Sequence, residues 1–379
     1  MPTLSGWLNA ALDRLRPGAG RNPELDGLRG MAILLVLGAH MLAGVWPHDQ
    51  PFVTGLPDFL PGGGLTGVQL FFVLSGYLIT GILVRGIAKR GIRSILGFYG
   101  RRARRLLPAL YVICGFYGLI VLFEFTGARQ QLGVNSILSA ITYTANLPVF
   151  TNDGWLEHTW SLAVEEQFYL VWPVVLLVCL RLYGVRLAVV AALIVIVTTA
   201  TLRHVVPFSN GVVWDDFRWD ALMIGALVAL VPMRAGRWAG WLGWAVLIYF
   251  SVTPVTFQPD VYLLTAVAAA AILVSAREHA WLSNPGLQLL GLVSYGLYLW
   301  HVFILRFGLP GPIALVLSLT AAFASYTIIE LRILRWGARH ISEEPATVPA
   351  PPVEHWLPGH VPAAVNTTEL KAAGRATDS

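Results

Sequence analysis

Residues Glu157 to Leu180 have the sequence EHTWSLAVEEQFYLVWPVVLLVCL, which indicates the fold of the chain. It is an apolar run long enough to enter a lipid bilayer, and it contains two adjacent carboxylates, Glu165 and Glu166. A carboxylate in hydrocarbon costs ~2.5 to 3.5 kcal/mol on insertion scales, so it is normally paired or faces a polar cavity. If the span begins near His158, Glu166 lies about 12 Å along the helix at ~1.5 Å per residue. We therefore expect a partner or a polar cavity for these glutamates inside the membrane.

Composition assigns the chain to the all-α polytopic membrane proteins. Of its 379 residues, 56% are hydrophobic and only 12% are charged, whereas soluble domains carry roughly 25% charged residues. The net charge of +5 is best explained by basic residues in cytoplasmic loops, so no nucleic-acid partner is expected. The two cysteines lie in apolar runs and the histidines lack metal-ligand spacing, so no metal is expected.

The distribution of basic residues predicts ten transmembrane helices with both termini in the cytoplasm. The number of spans depends on whether residues 137–149 cross the membrane. This apolar piece is interrupted by polar residues and proline. If this piece does not span, only Arg129, Arg203, Arg218 and Arg306 of the 26 basic residues lie outside. If it does span, several basic loops move outside, against the positive-inside rule. Residues 137–149 are therefore predicted to be re-entrant or external.

Three segments follow from this topology. Residues 1–28 form a cytoplasmic N-terminal segment without a cleaved signal peptide, and residues 29–341 form one membrane domain. Residues 342–379 are rich in Pro, Ala and Thr, a composition typical of a disordered cytoplasmic tail.

Three polar residues converge in the outer half of the membrane under this topology. Arg29 opens the first span on the cytoplasmic side, and His40 lies about 16 Å deeper at ~1.5 Å per residue. Glu165 and Glu166 enter from the opposite face and reach a similar depth. A His–Glu pair is a usual general base, because the carboxylate fixes the tautomer and stabilises the imidazolium. We therefore predict that His40 and Glu166 are catalytic, with Glu165 in support.

A basic cluster, RRARR at residues 101–105, precedes the third span. It contains two overlapping Arg-x-x-Arg pairs, Arg101 with Arg104 and Arg102 with Arg105. Residues three apart share a helix face, so either pair could hold phosphates through bidentate guanidinium contacts. We favour Arg101 and Arg104, with Arg29 as a further donor-binding residue. A purely topogenic role for the cluster is the competing interpretation.

Further polar residues near the same membrane layer are candidates for a substrate pocket. They are Ser75, Tyr77, Asn146, His158, Trp160, Ser161 and His301. Several of these could equally be packing residues, since small residues such as those of SGY let helices approach closely.

Six motifs in this sequence resemble those of the membrane-bound acyltransferase family 3, whose members modify bacterial surface glycans. They are LDGLRGMAILLVLGAH, GVQLFFVLSGYLIT, FYGRRARRLLPALY, HTWSLAVEEQFYLVWP, FRWDALMIGALVA and SYGLYLWH. The motifs occur in the family's order between about residues 24 and 336, as in its stand-alone form. The resemblance implies ten spans and functional roles for Arg29, His40, Arg101, Arg104 and Glu166. It also implies the bacterial cytoplasmic membrane as the location.

The resemblance also implies transfer of an acyl group from cytoplasmic acyl-coenzyme A to an extracytoplasmic hydroxyl or amine. Acetyl is the default group, and succinyl or another short acyl group is the alternative. The acceptor would be a cell-envelope glycan or glycolipid, and a secreted metabolite is a further alternative. The hydroxyl attacks the thioester directly or receives the group from an acyl-enzyme, and the sequence favours neither route. The rival hypotheses are a transporter or exporter of a lipid or glycan, and a membrane scaffold or sensor.

Overall fold

The computed structural model describes residues 22–43, 62–147, 154–205, 218–253 and 259–333. Within these ranges the chain is helical and contains no β-strand, which confirms the predicted all-α class for this part. The predicted tail at 342–379 and most of the N-terminal segment lie outside the described residues. The described helices are α1 (Pro23–Ala43), α2 (Gly63–Arg90), α3 (Arg93–Glu124), α4 (Gly127–Ile141), α5 (Thr159–Leu182), α6 (Val185–Val205), α7 (Trp219–Leu230), α8 (Arg237–Val252), α9 (Pro259–Val274), α10 (Pro285–Leu305) and α11 (Gly311–Ser325).

Three shorter helical pieces complete the described chain. Two 3₁₀ turns, Ala276–Glu278 and Ala280–Ser283, connect α9 to α10. A π-helix, Tyr326–Glu330, directly continues α11. π-Helices are rare and occur mostly as single turns, frequently at functional sites.

Six of the described helices are long and apolar enough to cross a membrane. They are α2, α3, α5, α6, α10 and the continuous segment Gly311–Ile333. Two further helices, α7 and α9, are apolar but shorter, and the count of ten spans stays a prediction. On α6, Leu193, Ile194 and Val197 are exposed, as suits side chains that face lipid tails. The described part of the chain is thus that of a multi-pass membrane protein.

The apolar piece at residues 137–149 is not an element of its own. Its first residues are the last turn of α4, and turns follow as far as residue 147. The buried face of α4 consists of small residues, among them Gly133, Ser136 and Ala140, and Gly133 approaches Tyr117 and Val121 of α3. The apolar pattern therefore reflects packing of α4 against protein.

Helix α3 extends well beyond the apolar run from which the third span was predicted. Its 32 residues correspond to about 48 Å at ~1.5 Å per residue, compared with ~30 Å for the hydrocarbon core. The RRARR cluster is therefore part of a continuous helix, and successive arginines face different directions.

Helix α1 is packed between α2 and α10, and glycine makes this close packing possible. A Cβ atom at Gly291 of α10 would collide with the carbonyl oxygen of Asp26, and one at Gly30 of α1 would collide with that of Leu287. Small residues allow helix backbones to approach closely in membranes. This contact fixes α1, which carries Arg29 and His40, against the face of α10 that carries His301.

We expect Gly291→Val to destabilise this contact. The added side chain must displace the α1 backbone at Asp26, and overpacking typically costs about 1–3 kcal/mol. The matched control is Gly115→Ala, because no atom lies within 4 Å of a Cβ built there. Thermal unfolding of the detergent-solubilised protein should show a lower midpoint for Gly291→Val only. Equal midpoints for the two variants would contradict the close packing.

Candidate active site

The two glutamates of the apolar run are paired with an arginine of α3. The Nε atom of Arg102 donates to Oε1 of Glu166 at 3.2 Å, and its NH2 group lies 3.8 Å from Oε2 of Glu165. The three side chains are largely buried, with 13–19% of their surface exposed. The glutamates are therefore paired inside the protein, but their partner is Arg102 and not the predicted His40.

Glu165 is held by further hydrogen bonds. Ser75 of α2 donates to Oε1 of Glu165 at 2.9 Å, and Tyr169 of α5 donates to Oε2 at 3.2 Å. The guanidinium of Arg102 also lies 3.6 Å from the centroid of the Tyr169 ring. Opposite charge, hydrogen bonds and a cation–π contact together offset the desolvation of these groups. Arg102, Glu165 and Glu166 are called the Arg–Glu cluster below.

A cavity of about 90 Å³ lies against this cluster. Its polar wall combines three arginines, two glutamates and several hydroxyl groups. The residues that line it are Arg29, Val68, Phe71, Phe72, Ser75, Arg102, Arg105, Leu106, Ser161, Leu162, Glu165, Glu166, Ser294, Tyr295 and Tyr298. The predicted pocket residues Ser75 and Ser161 and the predicted donor residue Arg29 thus share one cavity with the glutamates.

Helix α3 directs the two Arg-x-x-Arg pairs of RRARR toward different surfaces. Arg102 and Arg105 line the cavity. Arg101 lies instead in a second, basic depression with Arg85, Lys89 and Arg90. The Nε atom of Arg104 donates to the carbonyl of Gly100 within its own helix. The favoured pair, Arg101 with Arg104, does not line the cavity, because a rotation of about 100° per residue turns it away.

Three histidines, His40, His158 and His301, lie together near the C-terminal ends of α1 and α10. Nδ1 of His40 is 3.1 Å from Nε2 of His301, and the ring of His158 lies 5.6 Å from that of His301. No hydrogen bond or ion pair joins His40 to Glu165 or Glu166 among the described residues. The direct pair predicted between His40 and a glutamate is thus not formed, because the neighbours of these groups are His301 and Arg102.

A short hydrogen-bonded chain connects the cavity to the histidines. Oγ of Ser161 is 2.6 Å from the hydroxyl of Tyr298, and both residues line the cavity. The Tyr298 hydroxyl in turn donates to the carbonyl oxygen of His158 at 3.0 Å. The histidine group is therefore adjacent to the end of the cavity formed by Ser161 and Tyr298.

Three other predicted pocket residues lie outside the cavity lining. Tyr77 is packed against the apolar core. Asn146 exchanges two hydrogen bonds with Gln167 of α5, which attaches the turns after α4 to the helix that carries the glutamates. The Trp160 ring packs edge-on against Phe72 at 6.2 Å and lies 4.6 Å from the Arg218 guanidinium.

Several residues at the site were not among the predicted site residues, including polar residues of α10 and of the π-helix. Ser294, Tyr295 and Tyr298 of α10 line the cavity. Glu330 of the π-helix is 2% exposed and interacts electrostatically with Arg105. The spacing of Tyr295, Tyr298 and His301 at i, i+3 and i+6 places these three on one helix face, and this signal could have identified the two tyrosines.

The chemistry of the site follows from this arrangement. One end of the cavity presents guanidinium groups suited to phosphates, and the other end lies beside imidazoles suited to proton transfer. In the described part of the chain, no group of three or more His, Cys, Asp and Glu side chains is arranged to hold a metal ion. The described site therefore offers anion binding and acid–base chemistry.

These features define a helical membrane protein with a charged cavity between its helices. A family model described as an acyltransferase domain, that of acyltransferase family 3, matches residues 22–329. The chain therefore belongs to this family.

Several bacterial proteins are similar in sequence over most of the chain. "O-acetyltransferase OatA" of Staphylococcus aureus strain NCTC 8325 is 29% identical over 83% of this chain and 57% of its own length. "Putative peptidoglycan O-acetyltransferase YrhL" of Bacillus subtilis strain 168 is 29% identical over 84% of this chain and 56% of its own length. The chain thus spans less than two thirds of the length of these relatives. No solved structure matches the chain.

Proposed function

We propose that this protein is an integral-membrane acyltransferase of the bacterial cytoplasmic membrane. It transfers an acyl group, acetyl by default, from cytoplasmic acyl-coenzyme A to a hydroxyl or amine of an extracytoplasmic envelope glycan or glycolipid. Family membership and the O-acetyltransferase names of the relatives support the reaction class. The observation that carries the proposal is the cavity in which Arg29, Arg102 and Arg105 accompany two glutamates.

The proposed topology has ten spans, cytoplasmic termini and one membrane domain over residues 29–341. It places Arg29 near the cytoplasmic end of α1 and His40 near the outer end of the same helix. Their separation of eleven residues corresponds to about 16 Å at ~1.5 Å per residue. A donor held by the arginines and an acceptor that arrives from outside can therefore meet within the membrane domain.

The proposed donor site uses Arg29, Arg102 and Arg105. Coenzyme A carries several phosphate groups, and a planar guanidinium can bind a phosphate through two parallel hydrogen bonds. Glu165 and Glu166 are proposed to orient Arg102, because their carboxylates hold its Nε and NH2 groups. This differs from the role predicted for Glu166 as the direct partner of the catalytic histidine.

The proposed base is His40. Its imidazole removes the proton of the acceptor hydroxyl, whose oxygen attacks the thioester carbonyl. The C–S bond breaks, and the coenzyme A thiolate recovers the proton from the imidazolium. The same base could serve a route through an acyl-enzyme, since a proton must then leave the enzyme's nucleophile in the first half-reaction and the acceptor hydroxyl in the second.

The test compares the envelope of a deletion strain with strains complemented by the wild-type protein or by His40→Ala. Mass spectrometry of the isolated envelope glycans should show an acyl-bearing species that only the wild type restores. The mass difference identifies the acyl group, and its location identifies the acceptor. An unchanged acylation pattern, with a glycan accumulating inside the deletion strain, would support the exporter hypothesis instead.

A further inference from the structure

His301 is a buried histidine on α10 whose ring orientation is fixed by its own helix. Its Nδ1 atom lies 3.1 Å from the carbonyl oxygen of Leu297 and 2.8 Å from that of Tyr298. A carbonyl oxygen only accepts hydrogen bonds, so Nδ1 must carry the proton. The side chain is completely buried, and water cannot replace these contacts. His301 is therefore held as the Nδ1–H tautomer.

This tautomer determines the protonation of His40. The Nε2 atom of neutral His301 has a lone pair and lies 3.1 Å from Nδ1 of His40. A hydrogen bond at that distance requires His40 to donate from Nδ1. In a neutral His40 with a proton on Nδ1, the lone pair lies on Nε2.

The Nε2 atom of His40 lies close to Gly64 of α2, a residue without a side chain. A Cβ atom built on Gly64 of α2 would lie 3.9 Å from Nε2 of His40 and 3.8 Å from Cε1. His158 does not take part in this arrangement, because its Nε2 atom contacts the carbonyl of Leu299 at 3.1 Å.

We infer that His301 is a positioning residue that sets the tautomer of His40, so that Nε2 is the basic atom. The inference rests on the proposed role of His40 as the base. When Nε2 takes the acceptor proton, His40 becomes an imidazolium, and its Nδ1–H bond to the lone pair of His301 persists and strengthens. The neutral imidazole of His301 thus fixes the tautomer of His40, as a carboxylate does for the histidine of a catalytic triad.

The first experiment measures tautomers without any substrate. The full-length protein, labelled with ¹³C and ¹⁵N at histidine, is reconstituted in lipid bilayers and studied by solid-state NMR at neutral to mildly alkaline pH. Signals are assigned by their loss in His40→Gln and His301→Gln. We expect both rings to be neutral Nδ1–H tautomers. An Nε2–H tautomer for His40 in the wild-type protein would overturn the inference, whatever the outcome of the envelope analysis.

The second experiment separates positioning from folding. His301→Gln keeps a carbonyl oxygen that can accept from Nδ1 of His40, whereas His301→Leu has none. Rates with acetyl-coenzyme A, measured in membranes supplied with isolated envelope, should fall in the order wild type, Gln, Leu. We expect roughly a 10- to 100-fold loss of kcat for His301→Leu, the range typical when a partner that orients a functional histidine is removed.

The KM for acetyl-coenzyme A should stay within about twofold in both variants, since His301 does not line the arginine cavity. The matched control is His204→Gln, because His204 is half exposed and pairs with Asp260 away from this site. Equal losses of kcat in His301→Gln and His301→Leu, with His40 still Nδ1–H in both, would overturn the positioning role. If His301→Leu does not fold, the tautomer measurement on the wild type decides alone.

Discussion

Arg102→Ala should abolish nearly all acyl transfer, and Arg104→Ala should leave it close to the wild-type rate. Removal of Arg102 leaves Glu165 and Glu166 buried without their cation, and breaking a buried ion pair in this way costs about 3–5 kcal/mol. It also removes one of the three guanidinium groups of the cavity. We expect a loss of at least about 100-fold in kcat/KM for acetyl-coenzyme A, the equivalent of ~2.7 kcal/mol.

Arg102→Lys separates charge from geometry. A lysine ammonium keeps the positive charge but lacks the planar fork that bridges the two carboxylates. We expect an intermediate rate and an unfolding midpoint closer to that of the wild type. Acetyl-coenzyme A titrations in purified membranes measure each variant. A severe loss in Arg104→Ala with a normal rate in Arg102→Ala would restore the assignment of Arg101 and Arg104 as the donor pair.

His40→Gln should lower kcat by about 10²–10⁴, the range for loss of a general base. Glutamine has no group that can accept and return a proton at neutral pH, but it keeps a side chain of similar polarity. Donor binding should persist, because the arginines that line the cavity are untouched. Equilibrium binding of labelled acetyl-coenzyme A, measured together with the turnover rate, distinguishes a loss of catalysis from a loss of donor binding.

Glu166→Gln is the companion variant, because the structure gives Glu166 a different role from the predicted one. Its carboxylate contacts Arg102 at 3.2 Å, so its loss should affect KM for the donor more than kcat. A pure kcat loss in Glu166→Gln would favour direct support of the base. Near-normal turnover in a correctly inserted His40→Gln protein would refute the catalytic role of His40.

The residue types of the site could be predicted from the sequence, but their pairing could not. Buried carboxylates in an apolar run require partners, and this argument correctly anticipated a polar cavity around Glu165 and Glu166. Depth along a helix follows from a fixed rise per residue. The sequence could therefore also predict that His301 lies at a membrane depth similar to that of His40. The rotation of each helix about its own axis is set by tertiary packing, such as the contact of Gly291 with α1.

The choice between the two arginine pairs illustrates the same limit. Arg101 with Arg104 and Arg102 with Arg105 have identical spacing, so local geometry does not distinguish them. The distinction arises from α5, which presents Glu165 and Glu166 to Arg102. The π-helix that carries Glu330 could not be predicted from the sequence either, because no simple residue periodicity indicates its widened turn.

The doubled arginine repeat has a consequence for the effect of a one-residue insertion in this helix. A single residue gained in α3 ahead of RRARR would turn the downstream surface by about 100°. Arg101 and Arg104 would then take the places left by Arg102 and Arg105, and the cavity would again receive two guanidiniums one turn apart. Such an insertion would keep two guanidinium groups at the cavity, although the buried residues that follow, such as Leu106 and Leu110, would be turned by the same angle. His40 is the single histidine of α1, so no neighbouring residue could replace it in the same way.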